Sequence, residues 1–440
     1  MSGTEILGLV MLALLIGVIF IGFPIAFTLL FLALTFGYIG LGARVFDLAF
    51  FQTIGLMKEE TLAAVPLFIF MGFVVEQAGL MERLFRAFRL ILAPVRGALY
   101  LGVILTATVF AMATGIVGAA VTVLGIMAAP IMIKSGYNAR MSAGAIAAGG
   151  TLGILVPPSV MLIVMGPVIG VSVAHLYAAA FGPGFLLASL YILYTMTRSF
   201  LDPKLGPPVP LDERATSSLE VVREFFLGMV PLAALIAATL GSILGGLATP
   251  TEAAAVGASG SLVLAAIYGQ LTYRNIRNAV IQTTMTSSMV LFLAVTSNIF
   301  GAVFSRLGSA TVITNTLISL PLPPVGLLIV LMILIFLLGW PFEWPAIILV
   351  FLPIFWPVID AMKFDPVWIG ALIAVNLQTA FLSPPVAMSA YYLKQVVPKW
   401  TLGTIYRGMA DFMIIQVVGL ALVIAFPQIA TWLPRYLFFS

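Results

Sequence analysis

The sequence predicts an all-α polytopic membrane protein with an inverted-topology repeat, two re-entrant helical hairpins and two helices broken at Pro-Pro pairs. Three observations support this prediction. Hydrophobic residues make up 62% of the 440 residues and charged residues only 8%, the cationic residues are clustered, and prolines recur at a constant offset. Soluble proteins carry about 25% charged residues, so this surface is suited to lipid rather than to water.

Composition also excludes several classes of function. The chain has no cysteine and a single histidine, His175, which argues against a thiolate or histidine metal site. No nucleotide-binding phosphate loop occurs, and the isolated acids form no catalytic constellation, so we do not expect an enzyme. The net charge of +4 informs topology rather than indicating a nucleic-acid partner.

Long apolar stretches supply the predicted membrane spans. A helix needs roughly 20 apolar residues to cross a bilayer. The first helix should remain in the mature protein, because the N-terminus lacks the basic region of a cleaved signal peptide. The clearest stretches are 5–22, 24–42, 61–79, 176–197, 226–246, 251–269 and 409–429.

The positions of lysine and arginine predict the topology. Cytoplasmic loops are enriched in these residues, and fifteen of the twenty fall into a few groups. If all fifteen lie in the cytoplasm, both termini lie in the periplasm, and two apolar segments must enter the membrane and return to the same side. The groups are Arg83, Arg86, Arg89 and Arg96; Lys134 and Arg140; Arg198, Lys204, Arg214 and Arg223; Arg274 and Arg277; and Lys394, Lys399 and Arg407.

Recurring prolines indicate that the two halves are repeats. Pro24 and Pro250 are 226 residues apart, and three further prolines recur 227 residues later. The predicted division is a first repeat at 1–197, a cytoplasmic linker at 198–225 and a second repeat at 226–440. The first repeat contains a hairpin at about 97–133 and a broken helix at about 141–166; the second contains a hairpin at about 323–358 and a broken helix at about 367–393.

Inverted repeats are typical of secondary transporters, whose substrate and ion sites lie where helices are broken in corresponding positions. A Pro-Pro pair removes two amide donors and frees carbonyls of the preceding turn. Free carbonyls are costly in hydrocarbon unless something binds them, and a sodium ion prefers such oxygen ligands. The alternative is a structural kink whose carbonyls bind nearby hydroxyl groups. The pairing of the breaks favours a functional site.

The hairpin tips complete two candidate cation sites, because each tip should meet its Pro-Pro break near the midplane. The first tip is rich in small residues, and the second carries Glu343. An ionisable residue at membrane depth is functional by default, although a tip at the aqueous edge would leave Glu343 merely solvated. The candidate ligands are Thr114, Gly115, Gly149, Thr151 and Val156 for the first site and Gly339, Glu343, Asn376, Thr379 and Ser383 for the second. The helix breaks are Pro157, Pro158, Pro384 and Pro385.

Two cationic residues after the first hairpin are candidate substrate ligands. Lys134 or Arg140 could neutralise a substrate carboxylate. The alternative is ordinary cytoplasmic charge.

The combination of motifs resembles the large membrane (M) subunit of TRAP transporters, the tripartite ATP-independent periplasmic transporters of the DctM-like family. The likeness runs from near residue 5 to near residue 425. The motifs that carry it are Val-Pro-Leu-Phe-Ile-Phe-Met-Gly at 65–72, Gly-Tyr at 136–137, Gly-Thr-Leu-Gly-Ile-Leu-Val-Pro-Pro-Ser at 150–159, Thr-Pro-Thr-Glu-Ala at 249–253 and Ser-Pro-Pro at 383–385.

This resemblance implies an elevator-type importer of small organic carboxylates in the bacterial inner membrane, with sodium as the coupling ion. It also implies two partners, a periplasmic substrate-binding protein and a small membrane subunit of about four helices. Two departures from the family pattern stand out. The family's first tip is usually rich in serine, where this chain has Ala113-Thr114-Gly115, and its second tip usually has aspartate where Glu343 stands.

Two other transport classes remain open from the residues alone. One is a stand-alone sodium–carboxylate symporter that works without a binding protein. The other is a channel, although paired hairpins favour alternating access over a continuous pore.

Overall fold

The fold is all-helical, as the sequence predicts. The computed structural model describes residues 2–209, 217–384 and 387–438, and these ranges contain helices and no β-strand. Within them, nine helices are long and apolar enough to cross a membrane, or ten if one bent pair counts as a single span. All seven apolar stretches named from the sequence fall largely on helices. The chain is therefore a multi-pass membrane protein.

The chain begins with five helices that precede the first hairpin. Local signals set their ends: Ser2 and Glu5 form a capping box at the start of the first helix, and Gly22, with φ of 100°, ends it. A capping box satisfies two amide groups that the helix itself leaves unbonded. The helices are α1 (Gly3–Ile21), α2 (Ile25–Leu41), α3 (Arg44–Met57), α4 (Ala64–Gln77) and α5 (Leu80–Leu92).

The first hairpin and the first broken helix follow. The hairpin consists of α6 (Ala98–Thr114) and α7 (Val117–Lys134), and Gly115 lies at its turn with φ of 63°. The broken helix consists of α8 (Ala139–Leu155) and α9 (Val160–Ile169), which bend by 43° relative to each other. The long helix α10 (Val173–Leu201) then completes the first half.

The described residues of the second half contain twelve further α-helices. Two of its spans include a π-helical turn, at Ala237–Gly241 and Ile347–Phe351, and a 3₁₀ turn follows α19 at Thr379–Phe381. The helices are α11 (Ser218–Ile236), α12 (Ser242–Leu244), α13 (Pro250–Ile267), α14 (Tyr273–Arg306), α15 (Ser309–Ile318), α16 (Pro324–Leu338), α17 (Trp344–Ala346), α18 (Leu352–Ala361), α19 (Pro366–Gln378), α20 (Met388–Val396), α21 (Leu402–Ala425) and α22 (Gln428–Phe438).

The order of helices recurs between the halves. In the second half, α16 and the span from α17 to α18 correspond to the two arms of the first hairpin, α6 and α7. Helices α19 and α20 correspond to the two parts of the first broken helix, α8 and α9. Each element starts within one residue of the position that the 227-residue offset predicts. Equal spacing of apolar runs and prolines places the starts of equivalent helices at equal intervals. The exact division of the chain at 198–225 stays a prediction, and residues 210–216 of that linker lie outside the described ranges.

Burial separates an inner group of helices from an outer group. Every residue of α8 from Met141 to Leu155 is buried, and so is every residue of α19 from Val367 to Gln378. By contrast, α1, α2 and α3 expose large apolar side chains such as those of Phe20, Phe31 and Phe51. Helix α4 packs against α13 and α14, whereas α8 packs against α6, α7 and α21. The long parts of the broken helices, α8 and α19, therefore lie in the interior and other helices flank them, whereas the hairpin arm α16 exposes Ile329 and Ile333.

Candidate functional site

The first helix break leaves two backbone carbonyls without their helical partners. Pro157 and Pro158 lack the amide hydrogens that would bond to the carbonyls of Gly153 and Ile154, four residues earlier. The side-chain hydroxyl of Ser159 donates to the Ile154 carbonyl. The Gly153 carbonyl therefore has no amide donor four residues ahead and can bind a cation or another donor.

The first hairpin tip lies directly against this break. A β-carbon added to Gly115 would lie 3.1 Å from the carbonyl oxygen of Pro158 and 3.7 Å from that of Gly153. A β-carbon added to Gly153 would in turn lie 3.6 Å from the amide nitrogen of Ile116. Glycine is needed at Gly115 both for its positive φ and for this close approach. The tip and the break meet, as the sequence predicts.

The second tip and break meet in the same way. Helix α19 gives way to the 3₁₀ turn before Pro384, and Pro385 lies outside the described residues. A β-carbon added to Gly339 would lie 2.9 Å from the β-carbon of Ala380. Ala380 precedes Pro384 by four residues, so its carbonyl loses an amide partner just as that of Gly153 does. The break residues of the two contacts are equivalent, because Gly153 and Ala380 are 227 residues apart, whereas the tip residues Gly115 and Gly339 are 224 residues apart.

The second site also contains polar side chains. The Asn376 side-chain amide donates to the Met332 carbonyl at 2.7 Å, and the Thr379 hydroxyl donates to the Asn376 carbonyl at 2.6 Å. The Asn376 Oδ1 and Ser383 Oγ atoms are buried and have no hydrogen-bond partner among the described residues. A buried acceptor without a partner costs about 1–3 kcal/mol, so these two oxygens are suited to a ligand.

The remaining candidates of the first site separate into two groups. Thr114 lies at the tip, but its hydroxyl donates to the Phe110 carbonyl of its own helix at 3.1 Å. Gly149 faces Ala107 on α6, one turn before Gly153, and Val156 packs against α10.

Thr151 belongs to a different contact. Its carbonyl accepts a hydrogen bond from Gln378 Nε2 at 2.8 Å. Among the candidate ligands of the first cation site, Thr114 and Gly115 thus lie at the contact between tip and break, whereas Gly149 and Thr151 face other helices. The ligand role of each residue stays a prediction.

Both tips and both breaks line one cavity. Its volume is about 130 Å³, and it lies where the inner helices face α4 and α14. Glu343 supplies the one carboxyl group among the described lining residues, with Thr286 and Tyr392 as further polar groups. Representative lining residues are Gly115, Ile154, Thr286, Glu343, Phe381 and Tyr392. A concave site with few convergent polar groups is the usual form of a ligand-binding pocket.

The two candidate substrate cations lie elsewhere. Lys134 ends α7 and Arg140 lies in the first turn of α8, and neither lines the cavity. Arg140 forms an exposed ion pair with Asp411 of α21, with Nη2 at 2.5 Å from Oδ1. The structure therefore does not bring these side chains to the tips, and their role as substrate ligands stays a prediction.

Sequence reasoning missed four residues of this region: Gly153, Ala380, Gln378 and Tyr392. Counting four residues back from Pro157 and from Pro384 would have identified the first two. The 227-residue offset applied to Thr151 would have identified Gln378. Nothing in the sequence marks Tyr392, which reaches the cavity because α20 packs against α7.

Comparison with known proteins gives a consistent family. The family described as "Tripartite ATP-independent periplasmic transporter, DctM component" matches residues 12–429. The sialic acid TRAP transporter large permease protein SiaM of Vibrio cholerae is 29% identical, over 96% of each chain. The C4-dicarboxylate TRAP transporter large permease protein DctM of Pseudomonas aeruginosa is 30% identical, over 86% of this chain and 87% of that protein.

A solved structure shares the fold. The YdaH transporter of Alcanivorax borkumensis superimposes with a TM-score of 0.62 over 89% of this chain and 90% of that chain. The two sequences are 18% identical, so this likeness concerns the fold alone.

Proposed function

Because the chain belongs to the DctM family of TRAP transporter large permease subunits, we propose that it is the translocation subunit of a sodium-driven importer of small organic carboxylates. The convergence of both hairpin tips and both helix breaks on one cavity supports this proposal. Paired breaks near the midplane are where secondary transporters bind substrate and ions.

Sodium is the proposed coupling ion. The carbonyls of Gly153 and Ala380 each lose an amide donor to a proline, and Asn376 and Ser383 add unpartnered oxygens at the second break. Uncharged oxygen atoms such as these are suitable ligands for a hard monovalent cation. The carboxylate of Glu343 in the shared cavity would lower the cost of placing positive charge there.

The proposed motion is that of an elevator. The cavity lies between an inner group, which contains the hairpins and broken helices, and residues Ile69, Met289 and Val290 of α4 and α14. If the inner group slides along α4 and α14, both cation sites and the substrate move as one body. A rigid group with fixed sites that moves against a scaffold gives alternating access.

Two partners and a location complete the proposal. We propose a small membrane subunit of about four helices, a periplasmic substrate-binding protein, and the bacterial inner membrane with both termini in the periplasm. The positive-inside distribution of lysine and arginine supports that orientation. The relatives named for sialic acid and C4-dicarboxylates support a carboxylate substrate.

Uptake into proteoliposomes tests the proposal. The chain is reconstituted with its small subunit, and a sodium gradient is imposed with and without the binding protein against a panel of organic acids. Uptake that needs both sodium and the binding protein supports it. Uptake by this chain alone would favour the stand-alone symporter, and uptake indifferent to sodium would overturn the coupling ion.

A further inference from the structure

One hydrogen bond joins equivalent residues of the two halves. Gln378 Nε2 donates to the Thr151 carbonyl oxygen at 2.8 Å, and the two residues are 227 positions apart. Both are fully buried. When two positions related by a repeat touch each other, the axis that relates them must pass between them. The bond therefore lies where the two inner helices α8 and α19 cross the repeat axis.

The same bond connects the two candidate cation sites. Thr151 lies in the last turn of α8, two residues before Gly153 and its freed carbonyl. Gln378 ends α19, between the site residues Asn376 and Thr379. A cation that fixes the last turn of α8 thus fixes the Thr151 carbonyl. The Gln378 amide then transmits this ordering to the turn that presents Asn376 and Thr379.

The local chemistry makes this link difficult to replace. Both residues are fully buried, so breaking the bond leaves the side-chain amide nitrogen of Gln378 buried without a partner. The other nearby amide, Gln416 Nε2, is 3.5 Å from the Thr151 hydroxyl rather than from its carbonyl. Gln416 therefore contacts one side of the axis only and does not connect the breaks.

We propose that Gln378 is a positioning residue that couples the two cation sites, so that occupancy of one break stabilises the binding geometry of the other. This inference rests on the proposed function, because it requires two sodium sites. Coupling between sites is reciprocal. Uptake should therefore rise sigmoidally with sodium, whichever site fills first.

The test compares Gln378→Met with the wild type and with Gln416→Met as a matched buried control. Methionine keeps the length and flexibility of glutamine without its hydrogen-bonding groups. We expect wild type and Gln416→Met to show a steep, cooperative dependence of uptake on sodium. Gln378→Met should show a less steep dependence with a lower Hill coefficient, because two independent sites that must both fill still give a sigmoidal curve. Its half-saturating sodium concentration should be raised severalfold, with measurable uptake at saturating sodium.

A second measurement covers the case in which Gln378→Met does not transport. Stabilisation of the purified complex against heat, measured as a function of sodium concentration, reports binding without transport. The same loss of steepness is expected. A curve as steep in Gln378→Met as in the wild type overturns the coupling, and so does a wild-type curve no steeper than two independent sites give. A wild type that ignores sodium instead overturns the proposed function.

Discussion

The two tip–break contacts use equivalent residues of the breaks but different positions of the tips, and they differ in chemistry. At the first, Gly115 meets Gly153 and the carbonyl of Pro158, and the three atoms nearest to an added β-carbon are all backbone atoms. At the second, Gly339 meets Ala380, and Asn376 and Glu343 lie close by in sequence. The repeat fixes which residue of each break is approached, whereas the local residues fix how much charge and polarity each contact carries.

This difference predicts different sensitivities. The first contact depends on space and on backbone carbonyls, so added volume should damage it most. The second depends partly on side-chain oxygens, so removing a polar group should damage it while leaving the packing intact.

Filling the first contact should have the largest effect. In Gly115→Val, a branched side chain at positive φ would also collide with the Pro158 carbonyl, 3.1 Å from the added β-carbon. We expect sodium-driven uptake to fall more than about tenfold, which corresponds to an increase in activation free energy of more than about 1.4 kcal/mol.

Gly136→Val is the matched control for this variant. Gly136 has φ of 72°, so the backbone strain is comparable, but its added β-carbon would meet nothing within 4 Å. Equal losses of uptake in the two variants would show that strain, rather than the tip–break contact, is responsible.

Removing the carboxylate should have the next largest effect. Glu343→Ala takes away the one carboxyl group among the described residues that line the cavity. We expect sodium-dependent uptake to fall about tenfold while the complex still assembles, since such a loss matches about 1.4 kcal/mol. Assembly is measured by co-purification with the small subunit.

The exposed carboxylate of Glu82 provides the comparison, because Glu82→Ala should leave uptake intact. Unchanged sodium dependence in Glu343→Ala would remove Glu343 from the proposed site.

A small addition at the second contact should have a moderate effect. In Gly339→Ala, the new methyl group would lie 2.9 Å from the β-carbon of Ala380. Overpacking of this kind costs typically about 1–3 kcal/mol, and local adjustment of the tip should hold the loss of uptake to severalfold. Gly301→Ala, whose added β-carbon would meet nothing within 4 Å, should transport like the wild type. A loss in Gly301→Ala as large as that in Gly339→Ala would contradict the interpretation.

Breaking the exposed ion pair should have the smallest effect. Arg140→Ala removes the partner of Asp411 at the protein surface, and exposed pairs contribute about 0–1 kcal/mol. Uptake and thermal stability should stay close to those of the wild type. If Arg140→Ala instead abolished uptake and Asp411→Ala did not, the result would support direct binding of the substrate by Arg140.

Much of the fold could be predicted from the sequence because its causes are local. Apolar runs of sufficient length specify spans, and Pro157 and Pro384 specify where two of those spans break. The constant offset of the prolines also anticipated that the helices recur in the same order. The candidate ligands were predicted less completely, because backbone carbonyls carry no mark in a sequence.

The sequence by itself determined the class of protein, its helices, its breaks and the correspondence of its halves, since each follows from composition or from residues close together in the chain. Only the tertiary structure decided that Gly115 faces Gly153, that Gly339 faces Ala380 and that Gln378 reaches the Thr151 carbonyl. These contacts join residues far apart in sequence, and one partner in each is backbone that every residue has, so packing selects them.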